Sequence, residues 1–219
     1  MMVAYHGCFD LTYFGDAHFR MLEAPGWIAW RTLIVANFVF LSGLSMSLPR
    51  QGIHRSESQR LWQLGACAIT VSLATAFLFG DRWIYFGVLH FFFVATLLTK
   101  PLRRFPAVLA FLGFLLFVVG WTLGWDIMNP RWINWIGLAG KKPLTEDYAP
   151  LLPWLGLLWM GLWAGNRVPA LAGPATDQAA EPMPLKRGIA FLGRHSLATY
   201  MLHQPMLFAL LWLAHGGKA

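Results

Sequence analysis

Long apolar runs with few charges limit what this chain can fold into more than any other feature. A helix needs about 20 mostly apolar residues to cross the hydrocarbon core of a bilayer. Such runs recur throughout the 219 residues, of which 57% are hydrophobic and only 12% charged. Because lipid offers the backbone no hydrogen-bond partner, these runs must form helices that pack together. The sequence therefore predicts an all-α, polytopic transmembrane helix bundle.

Seven segments of the sequence are apolar enough to be candidate spans. They cover residues 1–14, 27–48, 61–79, 83–99, 105–124, 150–165 and 189–214. The first is short for a span, and we expect a truncated helix there. We expect one integral membrane domain over residues 1–219, in which the Ala- and Pro-rich residues 166–187 form a cytoplasmic linker.

The distribution of basic residues predicts the orientation in the membrane. Three alternate connections carry mostly lysine and arginine, whereas the remaining connections mix basic with acidic residues. The basic connections contain Arg50, Arg55 and Arg60; Lys100, Arg103 and Arg104; and Arg167, Lys186 and Arg187. Cytoplasmic loops collect such residues, so we expect these loops inside the cell and the C-terminus outside. The net charge of +7 then requires no nucleic-acid partner.

Three histidines, His6, His90 and His203, lie inside apolar segments. An ionisable side chain in hydrocarbon is costly, and it usually marks a functional site or pathway. Asp10 lies one helical turn beyond His6, where its carboxylate can orient the imidazole. We interpret His6 and Asp10 as a general base and its orienting group. The alternative is a buried pair that bonds for packing alone.

His90 and His203 are the further catalytic candidates. His90 should lie at the same depth as His6 and share its cavity, although a hydrogen bond to a hydroxyl on another helix would explain it equally well. Ser196, Tyr200 and His203 are spaced to share one face of the last helix, so we expect Ser196 and Tyr200 to contact substrate.

Two groups of residues near helix ends are candidate ligand contacts. Asp147 and Tyr148 precede the sixth span and could hold a substrate amine or hydroxyl; Asp147 could equally favour a helix dipole. Lys186, Arg187 and Arg194 surround the start of the last span, where a phosphorylated ligand would fit, although the cytoplasmic excess of basic residues explains them as well. No nucleotide-binding or zinc-protease motif is evident, and we predict no metal site.

Five motifs in order give the chain a family resemblance. They are YHGCFDL, FVFLSGLSMSL, YFGVLHFF, DYAPLLPWLGLLWMGLWAG and LGRHSLATYMLHQP. Together they resemble the bacterial branch of the heparan-alpha-glucosaminide N-acetyltransferase catalytic-domain family, over nearly the whole chain. The chain departs from the family at its start, where an Arg-Gly pair normally opens the first helix.

The resemblance implies a transmembrane acyltransferase in the bacterial inner membrane. Acetyl-CoA would be a co-substrate taken from the cytoplasm, with no permanently bound cofactor, and the acetyl group would pass to an amine or hydroxyl of an extracytoplasmic glycan or glycolipid. The resemblance places the essential histidine at His6, with His18 as its rival. Membrane lipids are further partners, and a homo-oligomer is compatible with the sequence.

Two other classes of function remain open from the sequence. Histidines on separate membrane helices can supply axial ligands, so the chain could be a haem-binding electron-transfer protein. It could also be a non-enzymatic component of envelope glycan assembly, in which case the intramembrane histidines would be dispensable.

Overall fold

The helices follow the apolar runs. The computed structural model describes residues 1–21, 23–48, 56–168, 188, 191–193 and 195–216. The helices are α1 (Met2–Tyr13), α2 (Pro25–Ser47), α3 (Glu57–Phe79), α4 (Val88–Leu102), α5 (Pro106–Thr122), α6 (Arg131–Asn134), α7 (Leu151–Arg167) and α8 (Ser196–Ala214). Two 3-10 turns, Gly80–Arg82 and Asp126–Met128, lie in the connections, and the described residues form no strand.

The predicted all-α membrane fold is confirmed. Within the described residues, three helical stretches are long and apolar enough to cross a membrane: Pro25–Ser47, Glu57–Arg82 and Ser196–Ala214. Val88–Leu102 and Pro106–Thr122 are shorter apolar helices. Every predicted span overlaps one observed helix, including the short first one, Met2–Tyr13. Of the predicted linker 166–187, residues 169–187 lie outside the described residues.

The fourth predicted span begins later than expected. Its helix starts at Val88, because residues 83–87 form an extended connection rather than a helical turn. The backbone N–H of Ile84 donates to Thr75 Oγ1 at 3.0 Å, which ties this connection to α3. Gly87 then serves as the N-cap of α4. Apolar composition alone does not distinguish such a buried connection from helix.

The chain divides into two compact units. The terminal unit comprises residues 1–35 and 174–219, and the central unit comprises residues 36–173. The first half of α2 belongs to the terminal unit and its second half to the central unit. The prediction of a single domain over residues 1–219 stays a prediction.

In the terminal unit, α1 packs along α8. Tyr5 of α1 is buried, and its ring meets the rings of Trp27 and Trp30 edge-on at centroid distances of 6.0 and 5.6 Å. Aromatic pairs favour this arrangement because the positive ring edge faces the negative ring face. Asp10, also on α1, is buried in the same unit with 1% of its surface exposed.

In the central unit, glycines allow helix backbones to approach closely. A Cβ on Gly43 of α2 would overlap the backbone of Leu158 in α7, and one on Gly161 would overlap the backbone of Phe40. Gly113 of α5 and Gly156 of α7 face each other in the same way. The backbones of α2 and α7 therefore approach closely at Gly43 and Gly161, as small residues allow between membrane helices.

The surface of both units carries many exposed apolar side chains. Phe77 is 91% exposed, and Phe111 and Leu210 are 65% and 62% exposed. Lipid acyl chains cover such side chains in a membrane protein, so the exposure fits the predicted spans. The fully buried residues Phe91, Leu109 and Leu158 form the packed interior of the central unit.

Candidate functional site

Helices α1 and α8 bring four polar side chains together in the terminal unit. His6 and Asp10 come from α1, and His203 and Gln204 come from α8. The ring centroids of His6 and His203 are 5.0 Å apart. Gln204 Nε2 donates to Asp10 Oδ1 at 2.7 Å. We call these four residues the polar cluster.

The hydrogen bonding of Asp10 differs from the expected pairing with His6. Its Oδ1 accepts from Gln204, and among the described residues no hydrogen bond joins Asp10 to His6. One helical turn places two residues on the same face, but a partner on a facing helix can approach a buried carboxylate more directly. The amide of Gln204 therefore holds Asp10.

The tautomer of His203 follows from its surroundings. Its Nδ1 lies 2.6 Å from the backbone carbonyl oxygen of Tyr200. A carbonyl oxygen only accepts hydrogen bonds, so Nδ1 carries the proton in the neutral ring. The lone pair is then on Nε2, which is buried and has no hydrogen-bond partner among the described residues. His203 thus presents a basic nitrogen to the polar cluster.

Two further buried atoms of the cluster lack a partner within the described part of the chain: Asp10 Oδ2 and Gln204 Oε1. Like His203 Nε2, the amide oxygen and the ionised carboxylate oxygen accept hydrogen bonds. Native proteins rarely leave buried polar atoms unpaired without a reason. Three acceptors in one cluster fit a group that brings several N–H or O–H donors.

Gln204 was not among the residues singled out from the sequence. The signal was present, because an amide inside the apolar helix segment MLHQPMLFALL must also face protein rather than lipid. A polar side chain in hydrocarbon is costly, and this argument, which singled out His203, would also have singled out Gln204. The facing position of α1 and α8, which gives it Asp10 as a partner, needed the structure.

The other predicted residues of the terminal unit are more peripheral. Ser196 is exposed at the start of α8, and the ring of Tyr200 lies 5.8 Å from that of His203. His18 is exposed in the segment between α1 and α2. Lys186, Arg187 and Arg194, predicted to bind a phosphorylated ligand, lie outside the described residues.

His90 lies in the central unit, where both of its ring nitrogens are bonded. The backbone N–H of Gly87 donates to Nδ1 at 3.2 Å, which makes Nε2 the protonated nitrogen. Nε2 lies 3.0 Å from Ser72 Oγ on α3, and that hydroxyl donates to the carbonyl of Ile84 at 2.6 Å. This is the interhelical bond that the sequence left open as the alternative, and it favours a structural role.

Asp147 and Tyr148 also have partners within the central unit. Asp147 Oδ2 accepts from the backbone N–H of Val88 at 2.9 Å, so this carboxylate caps α4. The Tyr148 hydroxyl donates to the carbonyl of Asn134 at 2.7 Å, and burial raises the pKa of Tyr148. These contacts favour structural roles, while the predicted substrate contacts stay predictions.

The described residues contain no group of three or more His, Cys, Asp or Glu side chains placed to hold a metal ion. The polar cluster brings together one carboxylate, one amide and two imidazoles within the terminal unit.

Comparison with known proteins identifies the family. A sequence model described as heparan-alpha-glucosaminide N-acetyltransferase, catalytic, matches residues 1–205 of the 219. No curated protein and no solved structure gives a significant match. The match spans most of the chain and includes all four residues of the polar cluster. The chain belongs to the heparan-alpha-glucosaminide N-acetyltransferase catalytic-domain family.

Proposed function

We propose that this membrane protein transfers an acetyl group from cytoplasmic acetyl-CoA to an amine or hydroxyl of an extracytoplasmic glycan or glycolipid. The family membership supports acetyl transfer. The positive-inside distribution of basic residues supports a cytoplasmic donor and an external acceptor. In this proposal the donor phosphates bind basic residues on the cytoplasmic side, and Lys186, Arg187 and Arg194 are the candidates that the sequence offers.

The observation that carries the proposal is the set of unpaired acceptor atoms in the polar cluster. An acceptor amine or hydroxyl brings the N–H or O–H groups that Asp10 Oδ2, His203 Nε2 and Gln204 Oε1 can accept. The carbonyl of a bound thioester has no such hydrogen. The cluster is therefore suited to the acetyl acceptor rather than to the thioester carbonyl.

In the proposed reaction His203 acts as the general base. The acceptor nitrogen or oxygen bonds to the acetyl carbonyl carbon, its proton passes to His203 Nε2, and the carbon–sulfur bond breaks. Coenzyme A leaves as a thiolate and takes up a proton. The hydrogen bond from Nδ1 to the Tyr200 carbonyl fixes the tautomer that this step requires. General-base help of this kind contributes about 10²- to 10⁴-fold in rate.

We propose His203 rather than His6 as the general base because the hydrogen bonds of the two residues differ. Asp10, the expected orienting group of His6, is bonded to Gln204 instead, whereas His203 has a fixed tautomer and a free lone pair. His6 is half-buried with its ring beside that of His203. We assign His6 to the wall of the acceptor site.

The experiment is an acetyl-transfer assay with radiolabelled acetyl-CoA and a panel of amino sugars and glycans, using the purified protein in nanodiscs. His203→Ala should lower kcat by about 10²- to 10⁴-fold, because the acceptor keeps its proton. His6→Ala should lower kcat less and raise the KM for the acceptor. His90→Ala is the matched control: it removes an intramembrane histidine that we consider structural, so the folded protein should keep nearly wild-type kcat.

Three results would contradict the proposal. A His203→Ala protein with wild-type kcat would show that His203 is not the general base. A Soret band in the purified protein, without acetyl transfer, would favour the haem-binding alternative. Normal envelope glycans in cells carrying His6→Ala and His203→Ala together would favour a non-enzymatic role.

A further inference from the structure

A basic cleft in the central unit is formed by residues that have no role in the site proposed above. Side chains of α2, α3, α4 and α7 surround a cavity of about 90 Å³. Arg60, Lys100 and Arg103 supply its cations, and Glu57 supplies one carboxylate. Three positive charges against one negative charge leave these four side chains with a net charge of +2. We call this cavity the basic cleft.

The basic cleft combines charge with apolar walls. Leu61, Leu64 and Leu162 line it, and Leu61 and Leu162 are buried. Charges of one sign in a cleft with low-dielectric walls focus the electric field and attract a counter-ion more strongly than the same charges on an open surface. The positive-inside rule places cations on one side of a membrane, but it does not require them to converge on a cavity.

The arrangement of hydrogen-bond donors favours an anion with several oxygens. Glu57 Oε1 accepts from Arg103 Nη1, which fixes the guanidinium while leaving its other N–H groups for a ligand. The hydroxyl of Thr96 already donates to the carbonyl of Phe92. The hydroxyl of Ser45, which also lines the cleft, donates to the carbonyl of Ser42. The ligand-binding donors are therefore the charged groups, and arginine and lysine bind phosphate oxygens through strong charge-assisted hydrogen bonds.

The size of the cavity restricts the ligand further. Pockets for drug-sized molecules measure about 300–1,000 Å³, so a cavity of about 90 Å³ holds one headgroup rather than a whole nucleotide or sugar. The adjoining leucines suit a slender or apolar continuation of the ligand. We propose that the basic cleft binds the phosphate of an amphipathic ligand, either an anionic phospholipid headgroup or the diphosphate of coenzyme A.

Two probes distinguish these sources. The full chain is placed in nanodiscs of phosphatidylcholine, and free coenzyme A is titrated in by calorimetry. In parallel, phosphatidylglycerol is added to the nanodiscs, and the lipid molecules retained by the protein are counted by native mass spectrometry. The coenzyme A experiment rests on the proposed function, whereas the phosphatidylglycerol experiment does not depend on it.

The test variant is Lys100→Gln, because Lys100 lines the cleft without holding Glu57. We expect it to weaken binding of one probe about fivefold, the effect of removing one basic contact near a membrane surface. Lys100→Arg should restore binding. Arg104→Gln is the matched control, because Arg104 neighbours the cleft in sequence but lies over the ring of Phe105, 4.8 Å from its centroid.

The binding results distinguish the two candidate ligands from each other and from a diffuse basic face. Loss of coenzyme A binding in Lys100→Gln identifies the donor as the source, and loss of phosphatidylglycerol retention identifies the lipid. Equal effects of Lys100→Gln and Arg104→Gln would show a diffuse basic face and overturn the proposal, as would unchanged binding of both probes in Lys100→Gln. Because the readout is binding, a protein that fails to transfer acetyl groups can still support the basic cleft.

Discussion

At the scale of single residues, hydrogen bonding separates histidines that look alike in the sequence. His90 and His203 both lie in apolar helices, and each could serve as a base or as a packing group. His90 has partners on both nitrogens, so taking up a further proton would require it to break its bond to the Gly87 N–H. His203 has one bonded nitrogen and one free lone pair. Only the second arrangement is ready to accept a proton.

The Asp10–Gln204 pair gives a prediction about stability. Gln204→Leu removes the amide that donates to a carboxylate with 1% exposure, leaving a buried charge without its partner. We expect a loss of about 1–3 kcal/mol in the free energy of unfolding, the cost of leaving a buried hydrogen-bonding group unpaired. Asp10→Leu combined with Gln204→Leu should recover most of that loss, because apolar residues then replace both polar partners. Thermal unfolding in nanodiscs measures both variants.

Asp10→Leu alone completes a double-mutant cycle with Gln204→Leu and the double variant, and this cycle is the control for the prediction. If the two residues are coupled, the loss in the double variant is smaller than the sum of the single losses. Strict additivity would mean that the Gln204–Asp10 hydrogen bond contributes nothing to folding. Neither variant is expected to transfer acetyl groups, so stability alone is the readout.

The sequence predicted some of these residues and missed others for a physical reason. The cost of burying an ionisable group identified His6, Asp10 and His203 without any knowledge of the fold. The partner of Asp10 depends on which helix faces α1, and spacing within one helix carries no information about a facing helix. For the same reason the sequence did not distinguish a catalytic role for His90 from a hydrogen bond between helices.

At the scale of helices, the Asp16–His215 contact joins the segment after α1 to the end of α8. His215 Nδ1 bonds the carbonyl of Leu211, and Nε2 lies 3.1 Å from Asp16 Oδ1. The Leu211 carbonyl and then the Asp16 carboxylate raise the pKa of His215 above its usual value near 6.5. The protonated ring stabilises this junction.

That shift sets the direction of a pH dependence. Because the folded-state pKa is raised, the stabilisation is fully present below about pH 6.5 and is lost as the pH rises through the higher folded value. His215→Gln should therefore lower Tm most near pH 6 and least near pH 9. Thermal unfolding at a series of pH values measures this difference. A gap between wild type and variant that grows with pH would contradict the assignment.

Glycine contacts between α2 and α7 give a second prediction at this scale. Gly43→Ala places a methyl group where the Leu158 backbone lies, so one helix must shift. We expect a cost of about 1–3 kcal/mol, as for other overpacked interiors. Gly26→Ala is the matched control in the same helix, because nothing lies within 4 Å of its added Cβ. That variant should gain up to about 1 kcal/mol from better helix propensity.

Thermal unfolding of the two glycine variants under identical conditions makes the comparison. Opposite signs of the Tm shift support close packing at Gly43. A similar small gain in both variants would mean that α2 and α7 have room for a methyl group at that position.

At the scale of the whole chain, hydropathy predicted the positions and order of the described apolar helices but not their grouping, and three of the seven predicted spans coincide with a described helix long enough to cross a membrane. Each apolar run became a helix because lipid leaves the backbone no other way to satisfy its hydrogen bonds. The division into residues 1–35 with 174–219 and residues 36–173 depends on contacts between distant segments. Apolar runs look alike to a hydropathy count, so the sequence could not assign them to one unit or the other.

The orientation of the chain gives the last prediction. The basic connections should lie in the cytoplasm and the segment after α5 outside, because lysine and arginine are retained on the inner side. Ile127, 81% exposed in that segment, and Arg104, exposed between α4 and α5, are suitable sites for single cysteines once Cys8 and Cys67 are replaced by serine. A membrane-impermeant maleimide applied to intact cells, with the outer membrane permeabilised where there is one, should label Ile127→Cys. Arg104→Cys should be labelled only after the inner membrane is broken. Labelling in the reverse order would mean that the orientation in the membrane is opposite to the predicted one. The basic cleft would then face outward, where cytoplasmic coenzyme A could not reach it.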